Sequence, residues 1–76
     1  MGSEDVKLLI GKRLRHRRRT LGLTLHDLGA SCGISPQQVQ KYECGAHNIS
    51  ATRLWSLART LDVPVAYFFE HMPGNG

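Results

Sequence analysis

Two glutamines and a lysine, Gln37, Gln38 and Lys41, stand one, two and five positions after Pro36. A primary amide carries donors and an acceptor side by side, and a lysine ammonium carries donors only. Set on the exposed turn of a helix, such groups can read base edges: glutamine pairs with adenine, and lysine donates to guanine. Gln40 is a weaker candidate, nearer a nucleic-acid backbone. The same residues would also suit an ordinary solvated helix face. A second set, Thr24, His26, Ser35, Asn48, Ser50 and Arg53, could meet phosphate. Its members fall at helix starts, where unpaired backbone N–H groups favour an anion, or carry polar and basic side chains. No Ser/His/Asp set, paired carboxylates or phosphate loop appears at usable spacing, so neither an enzyme nor a cofactor is expected.

These groups matter only if a helix presents them. Ser35-Pro36-Gln37-Gln38 predicts a helix start, with Ser35 as N-cap, Pro36 at the first helical position and Gln38 closing a capping box. This helix runs to about Cys44, with Val39 and Tyr42 inward and Gln37, Gln38, Gln40 and Lys41 outward. Before it, Thr24-x-x-Asp27 reads as a capping box. Leu25, Leu28 and Cys32 then form one face of a helix that Gly33 ends. Gly29, inside that helix, predicts a close crossing by another helix.

The first helix is expected from about Asp5 to about Leu21. Val6, Ile10 and Leu14 recur every four residues, and Leu21 continues their face. Six of the ten Lys and Arg residues crowd between Lys12 and Arg19: Lys12, Arg13, Arg15, Arg17, Arg18 and Arg19. A helix spreads them around its circumference, so one flank, Arg13 with Arg17 or Arg15 with Arg19, can touch a backbone while the rest supplies attraction. A plain solvated charged face is the other reading. Ser50 caps a fourth helix with Leu54, Leu57, Ala58 and Leu61 on its apolar face and Trp55 widening it. Pro64 opens a short fifth helix ending near Glu70. The expected organisation is a disordered N-terminus over residues 1–5, a folded domain over 6–70 and a flexible tail over 71–76.

A chain of 76 residues suits one domain, and one of this size buries roughly 60% of its unfolded surface. The net charge of +4 and the pI near 9.6 favour a polyanionic partner, nucleic acid or an acidic membrane face. Cys32 and Cys44 match no zinc spacing and read as reduced thiols of a cytosolic protein, the first in the core and the second exposed. No run approaches the ~18 apolar residues of a membrane span.

The order of these signals resembles the helix-turn-helix family of lambda-type repressors and Cro proteins, the XRE family. The resemblance covers about Ile10 to Glu70 and rests on RLRHRRRTLGLTLHDLGASCGISPQQVQKYECG followed by SATRLWSLARTLDVPVAYFF. Gly29 matches the family's small-residue position, Gly33 its turn glycine, and Val39 and Tyr42 its recognition-helix core. The resemblance implies an all-α, compact five-helix, lambda-repressor-like domain whose second and third helices form the helix-turn-helix. It implies a sequence-specific transcriptional regulator of bacterial or phage type, more often a repressor. Such a protein would bind a palindromic operator in double-stranded DNA as a homodimer, in the cytoplasm with the nucleoid, and have no membrane partner. An inducer, whether small molecule or protein, is not readable.

The resemblance also implies residue roles. Gln37, Gln38 and Lys41 fall at the base-reading positions. His47-Asn48 matches a phosphate-contact loop, with a plain surface histidine as the other reading of His47. Arg18 falls opposite Glu43, in a partly buried ion pair that fixes the recognition helix. Tyr67, Phe68 and Phe69 are more aromatics than so small a monomer can bury, so a dimer interface is expected there, with capping of the core as the alternative. The chain departs from the family at Leu25, where a phosphate-contacting Gln is frequent, at Pro36, where a base-reading side chain is frequent, and at Cys44. The departures at Leu25 and Pro36 keep a second reading open, an antitoxin-like or other protein-interaction module of the same fold.

Overall fold

Local capping signals divide this chain into short helices. A computed structural model describes residues 2–70. It contains α1 (Ser3–Thr20), α2 (Leu25–Cys32), α3 (Pro36–Glu43) and α4 (Ala51–Leu61), followed by a 3-10 helix (Val65–Phe69). The expected fifth helix is therefore not α-helical, and the count is four plus a 3-10 turn. Only five residues follow Pro64 in this segment, and its bonds close after three residues: Tyr67 N–H donates to the Pro64 carbonyl at 3.0 Å. Tight helices of this kind are confined to such short runs.

Helix α1 begins earlier than its sequence pattern suggests. Gly2 N–H donates to the Asp5 carboxylate at 3.2 Å, so residues 3–5 join the helix instead of a disordered terminus. The expected tail, 71–76, lies outside the described residues. Acidic Glu4 and Asp5 in the first turn and Arg17, Arg18 and Arg19 in the last complement the helix dipole. The far end closes when Leu23 N–H bonds to the Arg18 carbonyl at 3.0 Å and Gly22 N–H to that of Arg19 at 3.0 Å. Leu21 sits where the chain leaves the helix and is 41% exposed, so it does not continue the apolar face.

Each element sends a side chain into one core. Leu14, Leu28, Val39, Leu57, Leu61 and Phe68 are all fully buried, and burying a side chain of this size contributes about 1.5–3 kcal/mol. Trp55 stays outside, 55% exposed. Its ring lies under the Arg59 guanidinium at 4.8 Å, so it does not widen the buried stripe. Cys32 is only half-buried, with its Sγ 3.5 Å from the Thr60 hydroxyl.

Two glycines record close approaches. A Cβ on Gly11 would lie 2.5 Å from the carbonyl oxygens of both Tyr42 and Glu43, so the end of α3 rests directly on α1. A Cβ on Gly29 would lie 2.5 Å from the Ile34 carbonyl oxygen. The crowding at Gly29 thus comes from the turn that follows α2, and not from a crossing helix.

Candidate nucleic-acid interface

The α2–turn–α3 unit is assembled from caps. Thr24 Oγ1 accepts from Asp27 N–H at 3.0 Å, and Thr24 N–H donates to Asp27 Oδ2 at 2.9 Å. The backbone bond from Thr24, followed by that of its hydroxyl, holds the Asp27 carboxyl below its usual value. Gly33 turns the chain at φ +72, and Ile34 N–H reaches back to the Gly29 carbonyl at 2.9 Å. Ser35 Oγ then accepts from Gln38 N–H at 3.1 Å, and Pro36 opens α3.

Helix α3 has one held side and one open side. Val39 is fully buried and Tyr42 is 8% exposed. Gln37, Gln40 and Lys41 are exposed, and Gln38 is half-buried. The expected capping box at Ser35 is only half made. The Gln38 side chain does not return to the cap; its Nε2 lies 3.1 Å from His47 Nδ1. The partner is available because the chain doubles back after Gly45, where Ala46 N–H bonds to the Lys41 carbonyl at 2.9 Å.

An ion pair bolts the end of α3 to α1. Arg18 Nε donates to Glu43 Oε2 at 2.6 Å, and Nη2 donates to Oε1 at 3.1 Å. A third bond runs from Arg18 Nη1 to the Leu23 carbonyl at 2.8 Å. The two side chains are 13% and 7% exposed. The pair therefore joins α1, the loop before α2 and the last turn of α3.

Other basic side chains also turn inward, which their sequence positions did not reveal. Arg17 Nε donates to the Leu61 carbonyl at the end of α4, at 2.9 Å. Arg53 Nη1 donates to the Cys32 carbonyl at the end of α2, at 2.7 Å. Arg13 lies over the Tyr67 ring at 4.1 Å, donates to the Tyr67 carbonyl at 3.2 Å and pairs with Glu70 at 2.9 Å. The Arg13–Arg17 flank is thus committed to closing the fold, while Lys12, Arg15, His16 and Arg19 are exposed.

The remaining candidates are distributed as follows. Thr24, His26, Ser35, His47, Asn48 and Ser50 are exposed, and Arg53 is half-buried. The Ser50 hydroxyl accepts from Arg53 N–H at 3.1 Å, so Thr24, Ser35 and Ser50 all act as caps. His47 and Asn48 line a groove of about 420 Å³ together with Val6, Lys7, Ile10 and Phe69. Phe68 is fully buried, which removes it from any dimer interface. It fills the space where the 3-10 helix meets the core. Tyr67 and Phe69 are half-buried, and the Tyr67 hydroxyl donates to the Arg13 carbonyl at 3.2 Å.

With this geometry in place, the family can be assigned. Residues 14–68 match the helix-turn-helix family model HTH_3, of XRE type. The chain belongs to this family. Among relatives of this helix-turn-helix protein is an uncharacterized HTH-type transcriptional regulator of Sinorhizobium medicae (strain WSM419). It is 45% identical over 71 residues, which make up 93% of this chain and 51% of the relative. The chain thus spans about half the length of the curated relatives it matches. Among solved structures, the restriction-modification controller protein C.AhdI from Aeromonas hydrophila superposes with a TM-score of 0.78 at 31% identity, covering 82% of this chain and 94% of that one. The DNA-binding domain of BldD superposes with a TM-score of 0.75 at 34% identity, covering 90% and 97%. In this helix-turn-helix protein, α2 and α3 are the two helices of the motif, and Gln37, Gln38 and Lys41 lie on the second.

Proposed function

We propose that this chain is the part of a transcriptional regulator that reads double-stranded DNA, with α3 entering the major groove. One observation carries the reading: α3 is locked from behind by Val39, Tyr42 and the Arg18–Glu43 pair while its polar side, with Gln37, Gln40 and Lys41, is exposed. A helix that must present side chains to base edges needs that combination of rigid seating and open polar surface. Gln37, Gln38 and Lys41 take the base edges. Thr24, His26, Ser35, Gln40, His47, Asn48, Ser50 and Arg53 lie toward the backbone. In Ser35 and Ser50 the cap uses the hydroxyl oxygen as acceptor, so the hydroxyl proton is still available to a phosphate. Arg53 has further guanidinium N–H groups beyond the one it gives to Cys32. Two copies would place their α3 helices in successive major grooves, about 34 Å apart, on a near-palindromic operator. Tyr67 and Phe69 are the aromatics still available to the dimer, and occupancy of the operator would repress by blocking polymerase. The names of the relatives and the two structural neighbours support this reading.

The test is a titration of labelled duplex DNA at rising salt. Contacts to phosphate release counterions, so affinity falls by orders of magnitude between about 50 and about 200 mM salt. Absent or salt-independent binding would favour the protein-interaction module that Leu25 and Pro36 leave open.

A further inference from the structure

We propose that His47 is a positioning residue for Gln38: it fixes which way the Gln38 amide faces and thereby which base it prefers. The proposal rests on the DNA-reading function above. Gln38 Nε2 and His47 Nδ1 are 3.1 Å apart. An amide nitrogen only donates, so in this contact Gln38 Nε2 gives the proton and His47 Nδ1 accepts it. Gln38 then has one N–H given to His47. Its other N–H and its Oε1 remain, a donor and an acceptor side by side. Adenine presents the complement in the major groove, an acceptor at N7 and a donor at its amino group. The terminal torsion of a glutamine is soft and roughly two-fold, so without this partner the amide turns over readily. Its two faces then compete for the base.

The same geometry makes the preference responsive to protonation. A charged imidazole donates from both nitrogens, so Nδ1 can bond only to Oε1. The amide must turn over, and its NH2 then faces outward. Two donors suit guanine, which offers acceptors at N7 and O6. Of the groups around His47, α3 contributes Gln38, which does not titrate, and one turn further on the basic Lys41, whose carbonyl accepts from Ala46 N–H. From α1, Lys7 lines the same groove and is paired with Glu4 at 3.1 Å. From α4 and the 3-10 helix come Leu54 and Phe69. Among the described residues, Lys7 is the other titratable side chain lining that groove.

The experiment is selection of bound sequences from a random duplex pool by the full chain, at about pH 8 and about pH 5. The parent protein should select adenine at one base pair at the higher pH and move toward guanine there at the lower. His47→Ala should lose preference at that base pair by about tenfold at the higher pH. His47→Asn places an amide oxygen near the position of Nδ1 and cannot take up a proton, so adenine should be retained at both pH values. Parent preferences that ignore pH, or a His47→Ala selection identical to the parent's, would overturn the proposal. So would uniform weakening by His47→Ala with base preference unchanged, which would leave His47 a phosphate contact alone. If the parent enriches no sequence, the DNA-reading function itself fails, an outcome distinct from these.

Discussion

Arg18 shows how much can rest on one side chain. Its guanidinium holds Glu43 with two bonds and the Leu23 carbonyl with a third, and truncation would leave the Glu43 carboxylate in a site where it is 7% exposed. Removing one partner of a buried pair costs about 3–5 kcal/mol. Each kcal/mol moves the melting temperature of a domain this size by about 4–8 °C. Arg18→Ala should therefore lower the melting temperature by more than 10 °C, to be read by circular dichroism. A shift under about 1 °C would make the pair incidental. Asp27 provides a second prediction. Its carboxyl is held below its usual value by Thr24, so its contribution to stability is present above about pH 4 and is lost as pH falls below that. The stability difference between the parent and Asp27→Ala should accordingly shrink on acidification, and a difference that grows toward low pH would reverse the assignment. The sequence revealed the charged residues unequally. The Thr24–Asp27 box is legible because both partners lie within one turn. The destinations of Arg13, Arg17 and Arg53 are not, because each ends on a carbonyl of a distant segment. A run of arginines looks the same whether it faces phosphate or closes a fold.

Among the elements, α3 is placed by contact with α1 as much as by its own caps. Gly11 is the point of contact, and the atoms facing it are the backbone carbonyls of Tyr42 and Glu43, which cannot swing aside as a side chain would. Gly11→Ala should destabilise by about 1–3 kcal/mol, as overpacking does. It should also displace the end of α3, and so weaken DNA binding beyond the effect of stability alone. Chemical denaturation with a parallel binding titration separates the two effects. A variant as stable as the parent would show that α1 and α3 are not in contact there. A glycine inside an amphipathic helix is a cost with no local reward, and in that sense Gly11 carried a signal as visible as that of Gly29. The helix starts at Thr24, Ser35 and Ser50, and the glycine ends at Gly33 and Gly45, are readable because capping is local chemistry. The 3-10 form of Val65–Phe69 is not, because an apolar segment after Pro64 reads the same for either helix type. The half-made box at Ser35 was equally hidden, since His47 enters from a loop beyond the end of α3.

For the whole molecule, the proposed DNA-reading function separates attraction from selection. Several arginines of the α1 run hold the core, and the exposed Lys12, Arg15 and Arg19 supply a field that draws in a polyanion from any direction. Under the proposed function, selection is left to the polar side of α3, seated on Val39 and Tyr42. Specificity would then rest on glutamine chemistry and affinity on charge. The most direct test is selection from a random duplex pool by the full chain and by its Gln37→Ala variant, at fixed salt. An enriched sequence with two half-sites about one helical turn apart is expected, with loss of preference at a single base pair per half-site in the variant. A pool that emerges unenriched, or a variant that weakens every sequence equally, would contradict this expectation.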